Sequence, residues 1–384
     1  MSARRHEEQA LPHWRRAVLK VGSSLLAAND GGLSTRHALG LAEFIAASHR
    51  AGREIVLVSS GAVAAGRALV RAQPAAAQGL AARQALAAIG QTTVVALWQR
   101  FFDRCVAQVL LTHDDLRNRR RYLNARATLR ELLSLGALPV VNENDTVAVD
   151  ELKLGDNDNL AAIVAALVDA DLLLIASDID GLYSANPRSD PAAEPVADVG
   201  SVTREVLAMA GGAGSEAGTG GMRTKLEAAT KAAAAGIPTV LFNGTDADCL
   251  RLLAADRLRG TRFRAAETRL HARKYWLRHA PLAAGRLRID AGAARALLGG
   301  GASLLPGGIS AVSGEFTRGD MVEIETLHEG EPRIVARGIS QYAANEVRRI
   351  AGHRSVEIDA VLGYSYGETV VHRDDLVAVS GANA

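Results

Sequence analysis

Cysteine and long apolar runs are both scarce in this chain of 384 residues. The two cysteines, Cys105 and Cys249, form no C-x-x-C pair, and the first sixteen residues hold no apolar signal segment. Every apolar run is short and interrupted, so none reaches the length of a membrane span. These absences predict a reduced, soluble, cytoplasmic protein without membrane contact.

Lysine is scarce as well, because arginine supplies most of the positive charge. Of 44 cationic residues only five are lysine: Lys20, Lys153, Lys225, Lys231 and Lys274. A lysine ammonium is a compact point charge that fits against phosphate where the arginine fork does not. We therefore expect chemistry at some of the five, and ordinary surface charge at Lys231 and Lys274.

A strong charge imbalance is also missing. The formal net charge is +2, which gives no indication of a nucleic-acid-binding protein. The length exceeds that of a typical single domain, so two units of unequal size are expected.

Short β-branched runs alternate with Ala- and Leu-rich helical patterns over the first two thirds of the chain. The predicted strands cover residues 17–21, 54–60, 106–111, 137–142, 171–177 and 237–243, and the predicted helices 35–49, 80–103, 122–135, 159–168 and 224–235. This alternation predicts an α/β fold with a mainly parallel sheet sandwiched between helices. Such sheets bind ligands at the carboxyl ends of their strands.

Beyond about residue 265 the pattern changes to short strands separated by Gly-rich turns. The predicted organisation is an N-terminal arm (1–15), a catalytic domain (16–265), a linker (266–282) and a small β-rich domain (283–377). No internal repeat of 20 to 50 residues is visible.

Polar clusters follow the predicted strands. "KVGSS" ends the first strand with Lys20, Gly22 and Ser23, and "SSGAVAAG" (59–66) follows the second. Small residues with free N–H donors suit a phosphate group, although each cluster alone is a weak indication and is more often a plain turn.

The densest cluster follows the fourth strand. "NENDTV" (142–147) and "KLGDNDNLAAIVAAL" (153–167) place Asn142, Asn144, Asp145, Asp156, Asn157 and Asp158 near the start of a helix. One of them could cap that helix, but capping cannot employ them all. The set suits a zwitterionic ligand and the orientation of lysines beside a phosphate. Mg²⁺ would need no dedicated protein ligands, because nucleotide phosphates and waters normally hold it.

A glycine-rich stretch, residues 211–221, precedes a predicted helix that carries Lys225 in its first turn. A cation is disfavoured there, because the unpaired N–H groups and the helix dipole already make that end positive. We therefore expect a phosphate at this helix start, and we expect Lys225 to lack a compensating charge without it.

Familiar nucleotide-binding motifs are absent: the sequence has no G-x-x-x-x-G-K-[ST] and no G-x-G-x-x-G after a strand. "HRDDL" (372–376) imitates a protein-kinase catalytic loop, but Val379 stands at the position of the required asparagine and no Asp-Phe-Gly occurs. We interpret it as part of a terminal strand.

Seven motifs in order resemble the amino acid kinase family. They are "KVGSS", "VSSGAVAAGR", "LNARATLRELL", "PVVNENDTVA", "KLGDNDNLAA", "SDIDGLYSANPR" and "GTGGMRTKLEAA". The C-terminal "SLLPGGI", "FTRGD" and "RRIAGHRSVEIDAVLGYSYGETVVHRDDL" are similar to a PUA domain. The resemblance runs from about Arg16 to the C-terminus.

The resemblance implies transfer of the ATP γ-phosphoryl group, with Mg²⁺, to the side-chain carboxylate of L-glutamate, the first step of proline biosynthesis. It implies the catalytic residues Lys20, Lys225, Asp156 and Asp158. It implies that Ser60, Asn142, Asp145 and Asn157 bind L-glutamate. It implies that ATP contacts Lys20, Gly22, Ser23, Ser177, Asp178, Thr219, Gly220, Gly221, Met222, Arg223, Thr224 and Lys225. Ser177 departs from the threonine of the family pattern but keeps a hydroxyl.

Two alternatives stay open. Other members of the same family phosphorylate aspartate, acetylglutamate, carbamate or UMP. PUA domains also occur in RNA-binding and RNA-modifying proteins, but residues 281–384 carry ten arginines, no lysine and thirteen acidic residues, without the positive excess that RNA binding needs. We expect small-molecule substrates, a homo-oligomer, proline as a possible feedback effector, and no nucleic acid or membrane partner.

Overall fold

The computed structural model describes residues 5–28, 32–70, 79–148, 157–187, 189–210, 221–265, 283–328 and 331–379. The chain divides into two compact units, and among the described residues the larger unit holds a sheet of nine strands and the smaller a sheet of five. The predicted linker, residues 266–282, and the first four residues of the predicted arm lie outside the described residues.

The larger unit contains strands β1 to β11 and helices α1 to α10, except for residues 119–123 at the start of α6, which are assigned to the smaller unit. The strands are β1 (Glu8–Ala10), β2 (Arg16–Val21), β3 (Glu54–Ser59), β4 (Val106–Leu111), β5 (Leu138–Glu143), β6 (Leu172–Ser177), β7 (Leu182–Tyr183), β8 (Pro195–Val196), β9 (Asp198–Val199), β10 (Thr239–Asn243) and β11 (Arg257–Phe263). The helices are α1 (Ser23–Leu26), α2 (Ala38–Arg50), α3 (Ala62–Leu69), α4 (Leu80–Gln99), α5 (His113–Arg117), α6 (Arg119–Ser134), α7 (Asn157–Leu167), α8 (Arg204–Met209), α9 (Met222–Ala234) and α10 (Ala247–Ala254).

All six strands predicted from the sequence are present, and they lie side by side in parallel. Their order is β10-β6-β2-β3-β5-β4, which confirms the predicted parallel sheet. Every residue of β6 is buried, as expected when helices cover both faces of a sheet. Beyond β10, β11 adds antiparallel, and β1 pairs antiparallel with β11. Glu8–Ala10, inside the predicted arm, are thus a strand of this sheet.

One face of the sheet packs against α2, α4 and α10 in a continuous core. Phe44, Leu57, Trp98 and Phe242 are among its fully or almost fully buried side chains. By length and composition α4 could cross a membrane, since it has 20 residues with a mean hydropathy of 1.2. Its Val94, Leu97 and Trp98 belong to this core, and 33% of the apolar window is buried, so one face of α4 packs against the sheet.

Helices α3 and α4 approach each other closely because glycines face each other at the crossing. A Cβ atom on Gly90 would lie 1.9 Å from the carbonyl oxygen of Ala62, and one on Gly66 would lie 1.9 Å from that of Leu86. Real Cβ atoms do not come so near to backbone oxygens, so any larger residue would push the two helices apart.

We expect Gly90→Ala to lower the free energy of unfolding by about 1 to 3 kcal/mol, the usual cost of forcing an extra carbon into a packed interior. Thermal and urea unfolding of the purified variant measure this loss. Gly200→Ala is the matched control, because no atom lies within 4 Å of its added Cβ and its φ is not positive. Equal stability of the two variants would contradict the close crossing.

The smaller unit is β-rich, as predicted. It contains β12 (Gly285–Ile289), β13 (Ile309–Gly314), β14 (Met321–His328), β15 (Glu331–Ser340) and β16 (Val371–Ala378), with helices α11 (Ala291–Gly300), α12 (Ala344–Ile350) and α13 (Ile358–Leu362). The strand order is β13-β12-β14-β15-β16, and Leu287, Ile324, Tyr342 and Val371 lie in its core. "HRDDL" falls within β16, which confirms its interpretation as part of a terminal strand.

Candidate active site

Four neighbouring strands of the larger sheet deliver polar side chains to the same edge. In the order β6, β2, β3 and β5, their carboxyl ends carry Ser177, Lys20, Ser59 followed by Ser60, and Asn142. Parallel strands end on the same side of a sheet, so the clusters that are scattered in the sequence meet there. Helix α7 begins at this edge with Asn157 and Asp158, which are both buried.

Asp158 joins the two lysines that the sequence singles out. Its Oδ1 lies 2.7 Å from Nζ of Lys20, and its Oδ2 lies 3.2 Å from Nζ of Lys225. Oδ2 also accepts a hydrogen bond of 2.7 Å from the Thr224 hydroxyl. Lys20 is 5% exposed, Lys225 6% and Asp158 1%, so water screens these charges little. The carboxylate holds two ammonium groups side by side.

The charges decide the protonation state of Asp158. Burial would raise the pKa of this carboxyl, but the neighbouring Lys20 and Lys225 outweigh burial and hold its pKa well below the ordinary value. Asp158 is therefore ionised at neutral pH, and the three groups together carry a net charge of +1. This leaves the site attractive to an anion.

The start of α9 corrects one expectation from the sequence. The helix begins at Met222, two residues before the predicted start, and Lys225 lies in its first turn. The premise that this ammonium lacks a compensating charge in the ligand-free chain is wrong, because Asp158 supplies one from α7. The sequence suggested that the acidic cluster orients lysines, but it did not identify this pair, whose members are 67 residues apart.

A chain of hydrogen-bonded polar groups lies on the other side of Asn157. Its Nδ2 donates to Oγ of Ser60 at 2.7 Å and to Oδ1 of Asn142 at 2.9 Å. Asn142 in turn donates through Nδ2 to Oε1 of Gln91 at 2.8 Å. Three predicted acceptor-site residues are thus brought into direct contact. The fourth partner, Gln91, was not predicted, although a glutamine within the apolar run 86–98 of α4 was a visible signal.

Asp145 lies in the turn after β5 and is half-buried. Burial raises the pKa of this carboxyl to about 6, although the positive charge of Arg83 lowers it. At neutral pH most of the carboxyl is ionised, so it can face an ammonium group.

The predicted nucleotide-contacting residues flank the lysines. Ser177 ends β6 and donates to Oδ1 of Asp178 at 3.3 Å. Gly22 and Ser23 form the turn from β2 into α1. A Cβ atom on Gly22 would lie 3.4 Å from Nζ of Lys20, so the Gly22 backbone lies directly beside this ammonium group.

The last predicted group forms the beginning of α9. Gly221 is the residue before the helix, and Met222, Arg223, Thr224 and Lys225 make up its first turn. Arg223 is exposed and pairs with Glu227 at 3.1 Å. Asp156, Thr219 and Gly220 lie outside the described residues, as does Lys153.

The described carboxylates of the site do not form a cluster that could bind magnesium by themselves. Among the described residues, no group of three or more His, Cys, Asp or Glu side chains could hold a metal ion. Both oxygens of Asp158 already face lysine ammonium groups.

Comparison with known proteins agrees with this geometry. The amino acid kinase family model matches residues 15–243, and the PUA domain model matches residues 285–362. A glutamate 5-kinase of Xanthomonas oryzae pv. oryzae is 70% identical over 360 residues, covering 94% of this chain and 99% of the relative. A glutamate 5-kinase of Xylella fastidiosa is 66% identical over 374 residues, covering 97% of each.

A solved UMP kinase from Bacillus anthracis is 14% identical with a TM-score of 0.47, covering 66% of this chain and 97% of its own. That likeness is too weak for any inference. The family-model matches and the relatives at high identity show that the chain belongs to the amino acid kinase family and, within it, to the glutamate 5-kinases, and that it carries a C-terminal PUA domain.

Proposed function

We propose that this chain transfers the γ-phosphoryl group of ATP to the side-chain carboxylate of L-glutamate, giving L-glutamyl 5-phosphate and ADP. The observation that carries the proposal is the pair of buried ammonium groups on Asp158, next to the polar cluster of Ser60, Asn142 and Asn157. The glutamate 5-kinases at 66 to 70% identity support the choice of substrate.

On the phosphate side, Lys20 and Lys225 neutralise the charge of the transferring group. Phosphoryl transfer needs positioning and charge neutralisation more than covalent help from the protein. Asp158 touches both lysines and holds their ammonium groups in place. ATP lies against Gly22, Ser23, Ser177, Asp178 and residues 219–225. Mg²⁺, when bound to the ATP phosphates, neutralises further negative charge.

On the acceptor side, the hydrogen bonds determine which atoms remain as donors and which remain as acceptors for the substrate. Oγ of Ser60 already accepts a hydrogen bond from Asn157, so its own proton is available to donate to a substrate carboxylate. Oδ1 of Asn157 is an acceptor suited to the substrate ammonium, and the Asp145 carboxylate adds the opposite charge. Asp158, which contacts both lysines, directly follows Asn157 in the chain. L-glutamate bound at Ser60 and Asn157 therefore has the lysines close by, and its side-chain carboxylate is directed towards them.

The reaction can be tested by trapping its product. An acyl phosphate reacts with hydroxylamine, so we expect γ-glutamyl hydroxamate only when L-glutamate, ATP and Mg²⁺ are all present. Leaving out each component in turn is the control. Equal or faster turnover with aspartate or acetylglutamate would overturn the substrate assignment and leave the phosphotransfer chemistry standing.

The remaining assignments belong to the same proposal. We infer a cytoplasmic homo-oligomer in which proline acts as a feedback effector, supported by the place of the reaction in proline biosynthesis. The domain boundaries 16–265 and 283–377 stay a prediction. An RNA-binding function is not favoured, because residues 281–384 carry three more acidic residues than arginines and no lysine.

A further inference from the structure

Three side chains of α4 reach the acceptor side of the site at intervals of seven residues. Gln84 donates through Nε2 to the carbonyl oxygen of Ala148 at 3.1 Å. Gln91 accepts through Oε1 from Asn142 at 2.8 Å, and Trp98 donates through Nε1 to Oγ of Ser59 at 2.9 Å. Seven residues make almost two helical turns, so the three side chains share one face of α4. We call this face the polar stripe.

Gln91, in the middle of the polar stripe, has an unbalanced set of contacts. Its Oε1 accepts from Asn142, whereas its Nε2 is buried and meets no hydrogen-bond partner among the described residues. A buried donor without a partner is costly. A residue that served only to fill space would be apolar here, as its neighbours on the buried face of α4 are. Of the two polar atoms of Gln91, the described contacts therefore use the oxygen.

That oxygen fixes the direction of the whole chain of hydrogen bonds. Because Oε1 of Gln91 takes the Nδ2 hydrogen of Asn142, Oδ1 of Asn142 is turned towards Asn157 and accepts from it. Nδ2 of Asn157 is thereby turned towards Ser60 as well, and Oγ of Ser60 is an acceptor towards Asn157. A donor at position 91 would reverse every member of the chain.

We propose that Gln91 is a positioning residue for the acceptor substrate and acts through Asn142 and Asn157. The proposal rests on the proposed function, in which these amides and Ser60 bind L-glutamate. Gln91 keeps the Ser60 proton directed at the substrate carboxylate and Oδ1 of Asn157 directed at the substrate ammonium. It does not touch the lysines in any described contact, so its effect falls on acceptor binding.

The test compares Gln91→Met, which removes the acceptor atom at similar length, with Gln91→Glu, which retains an acceptor. We expect Gln91→Met to raise KM for L-glutamate about tenfold, the effect of losing one hydrogen bond and leaving a buried donor unpaired. KM for ATP should stay within about twofold, because the contact lies on the acceptor side. The thermal midpoint should change little, since the substitution removes one unpaired donor and creates another on Asn142. Gln91→Glu should restore most of the affinity for L-glutamate.

Gln99→Met is the matched control on the same helix. The Gln99 amide donates to the carbonyl oxygens of Phe102 and Arg104 and accepts from the Val106 amide, so its loss should lower the thermal midpoint and leave both KM values unchanged. If the wild type phosphorylates L-glutamate, two results for Gln91→Met overturn this inference alone. The first is an unchanged KM for L-glutamate, and the second is an equal rise in KM for L-glutamate and for ATP. If Gln91→Met fails to fold, a tenfold rise in Gln91→Glu overturns it and a near-normal value supports it. A wild type inactive on L-glutamate overturns the proposed function and this inference with it.

Discussion

We expect the replacement of Lys225 with methionine to lower kcat by about a hundredfold to a thousandfold, and we expect the same of Lys20→Met. Each substitution keeps the length and apolar stem of the side chain and removes one charge that, in the proposed function, neutralises the transferring group. Losing one preorganised electrostatic contact of this kind costs about 3 to 4 kcal/mol in the transition state. Steady-state kinetics with L-glutamate, ATP and Mg²⁺ measure the effect.

Lys231→Met is the control for that result. Lys231 lies on the same helix α9 but is exposed, so its loss should leave kcat within about twofold, the usual outcome for a screened surface charge. Thermal midpoints separate the two classes of lysine as well. Lys20→Met and Lys225→Met should be mildly destabilised, because Asp158 then keeps a single cationic partner. Normal turnover in Lys225→Met, or equal damage in Lys231→Met, would show that the first turn of α9 plays no part in the reaction.

Asp158→Asn should be the most destabilising of the active-site variants. It leaves two buried ammonium groups side by side without their shared carboxylate, and breaking a buried ion pair from one side costs about 3 to 5 kcal/mol. The lysines also lose their fixed positions, which should lower kcat about a hundredfold, as small misplacements at a reacting centre do. Urea unfolding and kinetics on the same preparation measure both effects.

The lowered pKa of Asp158 predicts how the difference in free energy of unfolding between wild type and Asp158→Asn changes with pH. The pKa of Asp158 is lower in the folded chain than in the unfolded one, so its ionised form stabilises the fold above the unfolded pKa of about 3.9. That contribution is lost progressively as the pH falls below this value. The difference in free energy of unfolding between wild type and Asp158→Asn should therefore be constant near neutrality and shrink below about pH 4. A difference that grows on acidification would contradict the ionised carboxylate.

Periodicity was sufficient to predict the six parallel strands, because each is a β-branched apolar run between polar turns. It was insufficient for β11, whose sequence RLRGTRF contains three arginines. Buried and more exposed residues largely alternate along this strand, and its arginines point outward to partners such as Asp198. A search for continuous apolar runs therefore does not find it. Tertiary pairing with β10 and β1 decides its conformation.

The sequence predicted which residues belong to the candidate site, but it did not predict which of them contact each other. Spacing placed Lys20, Asn142 and Asp158 at strand ends or a helix start, and parallel topology implied that they meet. Which carboxylate holds which lysine depends on distances across the fold that a single sequence does not encode. The sequence likewise grouped Asp156 with Asp158; Asp158 lies between the lysines, and the role of Asp156, which lies outside the described residues, stays a prediction.

Helix α7 places Asn157 and Asp158 next to each other, the first in contact with Ser60 and Asn142 and the second in contact with the two lysines. Since consecutive backbone units cannot move independently, a change that shifts α7 alters affinity and turnover together. Three hydrogen bonds of α4 reach the site, through Ser59, Asn142 and Ala148, which lie on the proposed acceptor side. Laboratory evolution towards a longer or shorter acceptor should therefore accumulate its beneficial substitutions on α4 and spare α7.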